Sequence, residues 1–264
     1  MTSQTSPLSS TNPQRVVLIG AGGLIGRAIH EQLDSDPTPY EVVGVSRRTR
    51  PGLDLEDRRS IARTLESLAP FDHVVVAAGE AEFVPVEALS ESSLRLGIES
   101  KLLGQVGVAL AALALLRAEG SITLTSGALS HSPTRGSTPA ALVNGAIDAF
   151  VRAVAFEVAD GRRINAVSPG WITETLRRFG MDPAVGTTAA AVAKMYVRAL
   201  QSDLHGSVIE AVHARPPAED AATHATSASN ELGPHRVVVR QSAPVLDTAL
   251  ARRGEVADHV VDVL

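Results

Sequence analysis

Short apolar runs alternate with longer segments of helical periodicity along most of this sequence. Residues 16–19 form the first apolar run, and a helical pattern of apolar positions begins at Leu24. Apolar runs bounded by turn residues predict buried strands, and apolar positions three and four apart predict helices. We predict further strands at 40–46, 52–55, 72–79, 121–126, 163–168 and 207–211, and further helices at 56–68, 86–118, 139–159 and 189–201. This alternation indicates an α/β fold with a doubly wound parallel sheet of about seven strands.

The two ends of the chain differ in composition from this alternating region. Residues 1–14 are rich in Ser, Thr, Gln and Pro, so we predict a disordered tail. The α/β domain then spans 15–211, and 212–264 is predicted to be a linker and C-terminal extension of unknown role. Within that extension we predict a linker at 213–234, an edge strand at 235–241 and at least one helix in 243–264.

Composition narrows the classes of protein that the sequence fits. Apolar residues make up 44% of the chain but aromatic residues only 3%, so Ala, Val and Leu must build the core. The chain has no cysteine, which excludes disulfides and thiolate metal sites, and no His or carboxylate cluster has metal-ligand spacing, so we predict no metal. A net charge of −5 without a basic block argues against nucleic acid as a partner.

We find no sequence feature typical of a membrane span or an export signal. No segment resembles a signal peptide, and the most apolar helical stretch, around 106–116, is too short to cross a bilayer. We therefore expect a soluble, cytoplasmic protein whose ligand is a small molecule.

A glycine-rich turn follows the first apolar run. It contains Gly20, Gly22, Gly23 and Gly26, with Ile25 at the start of the predicted helix. A strand, a tight glycine turn and a helix N-terminus let the backbone approach a pyrophosphate, whose charge the free N–H groups of the helix hold. We predict that these residues bind a dinucleotide, although such turns also occur as plain structural corners.

The residues after the later strands indicate which dinucleotide. Arg47 and Arg48 directly follow the second predicted strand. An acidic residue there binds a ribose hydroxyl of NAD, whereas arginine suits the 2′-phosphate of NADP, so we predict NADP in preference to NAD. The alternative is a solvated basic turn. Asp54 is a candidate for the adenine side, and the strand at 72–79 ends on residues small enough to lie beside a cofactor, Ala77, Ala78 and Gly79.

Taken in this order, the motifs resemble those of the short-chain dehydrogenase/reductase family over roughly residues 14–211. The matching segments are the glycine turn, the Asp54-Leu55 pair, Ala77-Ala78-Gly79 in place of the family's Asn-Ala-Gly, Ser126 at a strand end, and Asn165-Ala-Val-Ser-Pro-Gly-Trp-Ile172. The resemblance implies a Rossmann-like fold and an NADP-dependent oxidoreductase. It also implies that Pro169, Gly170 and Ile172 lie against the nicotinamide ring.

The resemblance breaks at the residues that carry the family's chemistry. The family's Tyr-x-x-x-Lys pair aligns with Ala140 and Asn144, so no phenol is available as the proton donor. The chain's two tyrosines, Tyr40 and Tyr196, fall in other predicted elements. The family's catalytic Asn aligns approximately with Lys101.

Lys101 is the candidate replacement for the missing pair. It is one of only two lysines in the chain, and a partly buried lysine can lose its proton where arginine cannot. We predict that Ser126 hydrogen-bonds the reacting oxygen, that Lys101 supplies the proton directly or through a water, and that Asn144 orients that water or the nicotinamide ribose. His131, in a loop, is a weaker candidate. In the alternative, Lys101 extends from its helix into solvent.

Three kinds of function fit these features. The first is an NADP-dependent oxidoreductase with a rearranged acid/base site. The second is a non-redox enzyme that uses the same pocket for a cyclisation, isomerisation or elimination, and the third is a catalytically silent nucleotide-binding subunit. The small and apolar faces of the helices at 86–118 and 139–159 further predict a homodimer or homotetramer with a four-helix interface.

Overall fold

A computed structural model of the protein describes residues 12–158, 160–210 and 260–261. Its strands are β1 (Gln14–Ile19), β2 (Tyr40–Val45), β3 (Phe71–Val76), β4 (Ala81–Glu82), β5 (Leu116–Thr125), β6 (Arg163–Ser168), β7 (Val208–Glu210) and β8 (Val260–Val261). Six of them form a parallel sheet in the order β2-β1-β3-β5-β6-β7. The chain moves from β1 to β2 in one direction and then crosses to β3 on the other side of β1, which makes the sheet doubly wound.

Helices cover both faces of this sheet. They are α1 (Leu24–Asp34), α2 (Arg58–Leu68), α3 (Glu91–Leu96), α4 (Gly104–Leu113), α5 (Thr138–Glu157), α6 (Thr173–Arg178) and α7 (Ala189–Gln201), with a π-helical segment, Gly97–Leu103, between α3 and α4. On one face α1 and α7 pack against Val16 and Leu18 of β1. On the other face α2, α4 and α5 pack with Val17 and Ile19. This alternation follows from the two-residue period of a strand.

The carboxyl ends of the parallel strands all meet at one edge of the sheet. Ile19, Val76, Thr125 and Ser168 are the last residues of β1, β3, β5 and β6 at that edge. The crevice between β1 and β3 lies where the direction of strand connection reverses, which is the place where open α/β sheets bind ligands. The loops that follow these strands therefore form the region to search for a site.

The predicted α/β doubly wound architecture is confirmed, but the described residues contain six strands in the central sheet where about seven were predicted. The strand predicted at 52–55 is wrong. Leu53 N–H donates to Ser46 O at 3.0 Å, and Gly52 O accepts from Thr64 Oγ1 at 2.6 Å. The segment is thus a loop fastened to the end of β2 and to α2 instead of to a strand of the sheet.

The single helix predicted at 86–118 is also wrong in detail. The region is divided into a 3₁₀ turn (Val86–Ala88), α3, the π-helical segment and α4, and it ends at Leu113. It cannot continue because Leu116 already pairs with Phe71 of β3 as the first residue of β5. The helices predicted at 139–159 and 189–201 are confirmed within two residues by α5 and α7.

Several predictions for the chain ends lie outside the described residues. These include the tail up to residue 11, the linker at 213–234 and the edge strand at 235–241. Within 243–264 only 260–261 is described, and it forms β8, antiparallel to β4. The helix predicted within 243–264 otherwise lies outside the described residues.

Two helical stretches, Glu91–Leu113 and Thr138–Glu157, are long and apolar enough to cross a membrane. Both lie in the α/β fold, where α4 and α5 supply apolar side chains to the core beside the sheet. They are core helices of a soluble fold, and their composition does not indicate a membrane protein.

Candidate active site

The glycine turn joins β1 to α1 so closely that side chains are excluded from it. Gly20 has φ of 88°, and a Cβ atom there would lie 2.2 Å from Ala77 O. A Cβ atom on Gly26 would lie 2.0 Å from Gly20 O. Gly23 is the N-cap residue of α1 and has no side chain to cap the helix. The first N–H groups of α1 therefore remain available to an anion.

A cleft opens beside this turn at the carboxyl edge of the sheet. Eight predicted cofactor-binding residues line it: Gly20, Gly23, Arg47, Asp54, Leu55, Ala77, Ala78 and Gly79. Ser46, Glu80 and Ser100 line it as well. Backbone that only glycine can adopt, a helix N-terminus and small residues at the end of β3 fit the pyrophosphate and ribose of a dinucleotide.

The other predicted cofactor residues are placed differently. Ile25 is fully buried in the apolar core under α1, and Gly26 packs on the carbonyl of Gly20. Gly22 and Arg48 do not line the cleft. Arg47 does, and its Nη2 lies 3.4 Å from Glu80 Oε1 while 68% of its side chain is exposed. The cleft therefore presents one arginine whose guanidinium is accessible to a ligand.

Lys101 lies in the π-helical segment, pressed against the end of the β3 loop. Gly79 has φ of 133°, and a Cβ atom there would meet Lys101 Cα at 2.8 Å. Lys101 is 0% exposed, and its Nζ donates to Ser126 O at 3.0 Å. One turn later Gln105 holds the helix to β5, because its amide accepts from Thr125 N and donates to Thr125 O, both at 2.8 Å. The structure therefore brings Lys101 and Ser126 together.

Burial changes the acidity of this lysine. Removal from water lowers the pKa of Lys101 to about 7, and the negative charge of Asp148 works in the opposite direction. Both the ammonium and the neutral amine are therefore accessible near neutral pH, as proton transfer requires.

Ser126 and Asn144 add unpaired polar atoms beside the lysine. Ser126 N–H donates to Val167 O at 2.9 Å, which fixes the residue at the end of β5. Its Oγ and both amide atoms of Asn144 are buried without a hydrogen-bond partner among the described residues. Gly127 allows this approach, since a Cβ atom there would lie 2.6 Å from Asn144 Nδ2. Buried polar atoms without partners are rare in native structures, so this group calls for an explanation.

Comparison with known proteins agrees with this geometry. A family profile described as Enoyl-(Acyl carrier protein) reductase matches residues 53–209. The chain belongs to the short-chain dehydrogenase/reductase family. A short-chain dehydrogenase/reductase of Stachybotrys chlorohalonatus is 35% identical over 103 residues, which are 38% of this chain and 40% of that protein. The chain thus spans about two fifths of the length of that curated relative.

Solved structures extend the likeness over the whole domain. A crystal structure from Listeria innocua has 30% identity and a TM-score of 0.70, and the match covers 75% of this chain and 100% of that one. A small-chain dehydrogenase solved in complex with NADPH has 30% identity and a TM-score of 0.66, covering 75% and 96%.

Ala140, which the sequence predicts at the family's tyrosine position, lies in an apolar environment. Ala140 is fully buried in a small cluster with Ala81 and Val143. Neither phenol of the chain lies beside Lys101. Tyr196 OH is 2.5 Å from Thr125 Oγ1 in the core under α7, where burial raises its pKa, and Tyr40 is at the opposite, amino-terminal end of its strand.

The segment after β6 borders the site from the far side. Pro169 O accepts from Ala128 N at 2.9 Å, which places it beside the loop that follows Ser126. Gly170 continues this loop, and Ile172 is buried and bridges to Thr187. These contacts bring the three residues assigned to the nicotinamide ring to the same edge of the sheet as Lys101.

Two buried residues near the site were missed by the sequence reasoning. Asp148 lies one helical turn after Asn144 on α5, and Gln105 lies one turn after Lys101. Each lies four residues after a predicted site residue on a predicted helix, and residues four apart share one helix face, so the spacing could have identified both. His131 lies in the loop beyond Ser126, with its side chain 45% exposed. Within the described ranges no three His, Asp or Glu side chains are grouped to hold a metal ion.

Substitution of Gly26 by alanine tests the closeness of the glycine turn. The added methyl would collide with Gly20 O, so Gly26→Ala should lower the free energy of unfolding by about 1–3 kcal/mol and reduce the melting temperature. Gly22→Ala is the matched control, because a Cβ atom at Gly22 has no neighbour within 4 Å. Equal melting temperatures for the two variants would contradict this description of the turn.

Proposed function

We propose that this protein is an NADP-dependent oxidoreductase in which Lys101 replaces the tyrosine as the acid/base group. The observation that carries the proposal is the placement of Lys101 Nζ, fully buried and 3.0 Å from Ser126 O, beside the unpaired side chains of Ser126 and Asn144. The solved relative that contains NADPH supports the cofactor.

Each side chain has a defined part in this proposal. The nicotinamide cofactor supplies or accepts a hydride when bound. Ser126 Oγ donates a hydrogen bond to the oxygen of a carbonyl substrate, and the Lys101 ammonium gives that oxygen a proton. Asn144 has both a donor and an acceptor free, so its amide can orient a water or the nicotinamide ribose.

The cofactor's phosphates would lie at the glycine turn and its 2′-phosphate at Arg47. The N-cap of α1, Gly23, lines the cleft without a side-chain cap, and no acidic residue occupies the first turn of that helix. Arg47 is the cleft-lining arginine, and Asp54 and Leu55 border the adenine side. Pro169, Gly170 and Ile172 belong to the proposed site through the family resemblance, and Arg48 belongs to it through its position after β2.

A non-redox reaction in the same pocket is the second candidate. The specific observation in its favour is the buried lysine with pKa of about 7, which suits a general base as well as a proton donor. Oxidation of NADPH in the presence of carbonyl compounds separates the two candidates, because only the first consumes the cofactor. A silent nucleotide-binding subunit would bind NADPH and turn nothing over.

Lys101→Met is expected to lower kcat for NADPH oxidation about 10²–10⁴-fold, because the proton donor is removed while the apolar stem remains. Steady-state kinetics with a responsive carbonyl compound measure this, and NADPH binding followed by fluorescence should be retained. Lys194→Met, at an exposed position, is the matched control and should keep full activity. Unchanged turnover in Lys101→Met would exclude Lys101 as the donor.

Arg47→Ala is expected to weaken NADPH binding by about 1.5–3 kcal/mol, because a charge-assisted hydrogen bond to the 2′-phosphate is lost. NADH binding should stay unchanged, since NADH has no such phosphate. Parallel fluorescence titrations with both nucleotides give the difference, and Arg50→Ala, an exposed position in the same turn, is the matched control. Equal affinities of the unmodified protein for NADPH and NADH would contradict the predicted preference.

We also propose that the protein forms a homodimer or homotetramer in which α4 and α5 lie at the interface. Four large apolar side chains on and beside these helices are exposed, at 42% for Leu103, 52% for Leu110, 46% for Leu142 and 90% for Phe156. We expect a dimer or tetramer by light scattering, and Leu110→Glu with Leu142→Glu should shift it to monomer. Val185→Glu, in an exposed loop, should leave the assembly intact. A monomer at micromolar concentration of the unmodified protein would refute this part.

A further inference from the structure

Asp148 is a buried carboxylate that the proposed mechanism has not yet used. It lies on α5, on the same face as Asn144, and is 7% exposed. Its Oδ2 accepts a hydrogen bond from Ser130 Oγ at 3.2 Å, and its Oδ1 is buried without a partner among the described residues. A buried carboxylate is costly unless it is paired, so its position calls for a nearby proton or cation.

A chain of polar groups connects this carboxylate with the surface. Ser130 Oγ lies 3.3 Å from His131 Nδ1, and His131 Nε2 lies 3.8 Å from Glu210 Oε2. The side chains of His131 and Glu210 are 45% and 49% exposed. The groups therefore form a series from a buried carboxylate to a solvent-facing imidazole, with hydrogen-bond contacts from Asp148 to His131.

The inner end of this series is coupled to the lysine. The carboxylate of Asp148 holds the pKa of Lys101 above the value that burial alone would give. Asn144, with its amide unpaired, occupies the same helix face one turn earlier. That amide lies against Gly127, because a Cβ atom there would be 2.6 Å from Asn144 Nδ2, and the preceding residue, Ser126, accepts the hydrogen bond of Lys101 Nζ. The α5 face that carries Asn144 and Asp148 therefore packs next to the residue that holds the ammonium, and the unpaired Asp148 Oδ1 gives a bridging water an acceptor.

We infer that Asp148, Ser130 and His131 form a proton relay that returns a proton from solvent to Lys101 after each turnover. This inference rests on the proposed function, in which Lys101 loses a proton in every reductive cycle. Ser126 and Asn144 contact the reacting groups, whereas Asp148 and Ser130 act through Lys101.

The protons and electrons of the cycle balance without a further reactant. The reduced nicotinamide of the proposed function would supply a hydride to the carbonyl carbon and be left oxidised. The carbonyl oxygen takes a proton from Lys101, whose amine is left neutral. His131 then gives its Nδ1 proton to Ser130 Oγ, as the Ser130 hydroxyl proton moves to Asp148 Oδ2. Rotation of the neutral carboxyl group turns this proton toward Lys101, directly or through one water. As Nδ1 loses its proton, solvent gives one to Nε2 at the exposed edge of the ring. Exchange of the ring protons with solvent then returns His131 to the tautomer protonated at Nδ1, and rotation of the Ser130 hydroxyl resets the series.

A purely structural role for these residues predicts different behaviour. Ser130 Oγ is also within 3.1 Å of Gly127 O, so its loss could simply loosen the turn Ala128–Ser130. The tests therefore need readouts that loosening of a turn would not produce. Those readouts are the pKa of Lys101, the exchange of its protons with solvent, and rescue by added imidazole.

The pKa of Lys101 is accessible by NMR in the cofactor-free protein. The chain has two lysines, so labelling with [ε-¹³C]lysine gives two signals, and Lys101→Met assigns them. The groups that face Lys101 from the β3 and β5 ends, Gly79 and Ser126, are uncharged, and Asp148 is the charged group that shifts its pKa. Asp148→Asn should lower the pKa of Lys101 from about 7 by about one unit, because it removes the stabilising negative charge.

Exchange of the Lys101 Nζ hydrogens with solvent tests the path itself. Ser130→Ala and His131→Ala should slow this exchange about tenfold or more in ¹⁵N-lysine-labelled protein without changing the pKa of Lys101 as Asp148→Asn does. Ser132→Ala, an exposed neighbour, is the control and should exchange as the unmodified protein does. Imidazole in solution should restore the rate in His131→Ala, because the missing ring lay at the surface.

The outcomes separate the relay from the proposed function. An unchanged pKa of Lys101 in Asp148→Asn, or unchanged exchange in Ser130→Ala and His131→Ala, overturns the relay. Slowed exchange with imidazole rescue supports it, and these measurements need neither cofactor nor substrate. Failure of the protein to oxidise NADPH with any carbonyl compound would instead count against the redox function. For an active enzyme, single-turnover hydride transfer should survive in Ser130→Ala while steady-state turnover falls and its solvent isotope effect rises.

Discussion

The close contact between the loop after β3 and the π-helical segment is the constraint on which the site depends. Gly79, with φ of 133°, presents no side chain to Lys101, and any Cβ atom there would push the helix away from the sheet. The bonds from Gln105 to Thr125 hold the same helix from the next turn. Together these contacts bury Lys101 and direct its ammonium at Ser126 O. The glycine therefore fixes the position of the proposed acid/base group although it has no side chain of its own.

In the proposed mechanism, burial is also what would allow a lysine to act in place of a phenol. An exposed lysine is almost fully protonated at neutral pH and is a weak acid there, and an arginine stays protonated in any environment. Loss of hydration brings the pKa of Lys101 to about 7, and the partial compensation by Asp148 keeps the residue from becoming neutral altogether. Desolvation of Lys101 thus both destabilises the folded state and lowers the pKa of its ammonium. The negative charge of Asp148 opposes both changes.

The sequence predicted the fold better than the details of the site, for identifiable reasons. Buried parallel strands are nearly continuous apolar runs, so β1, β3 and β6 were evident. The segment 52–55 has the alternation of a strand, but a loop with the one buried side chain of Leu53 satisfies the same pattern. The first residues of β5 include Arg117 and Glu119, which hid the strand next to a helical region. The spacing of residues along the chain does not show how deeply a side chain is buried. The burial of Lys101 and of Asp148 therefore could not be predicted from the sequence pattern.

The number of residues in the π-helical segment and the start of α4 determines where the side chains of Lys101 and Gln105 point. Lys101 and Gln105 stand four residues apart across the junction between this segment and α4, and each bonds a different residue near the end of β5. An α-helix turns about 100° per residue, so loss of one residue between them would rotate one side chain away from its partner. A relative with a helix one residue shorter would keep every residue type of the site and still not assemble it. A relative is therefore expected to share this site only if it matches both the residue types and the helical register of Lys101 and Gln105.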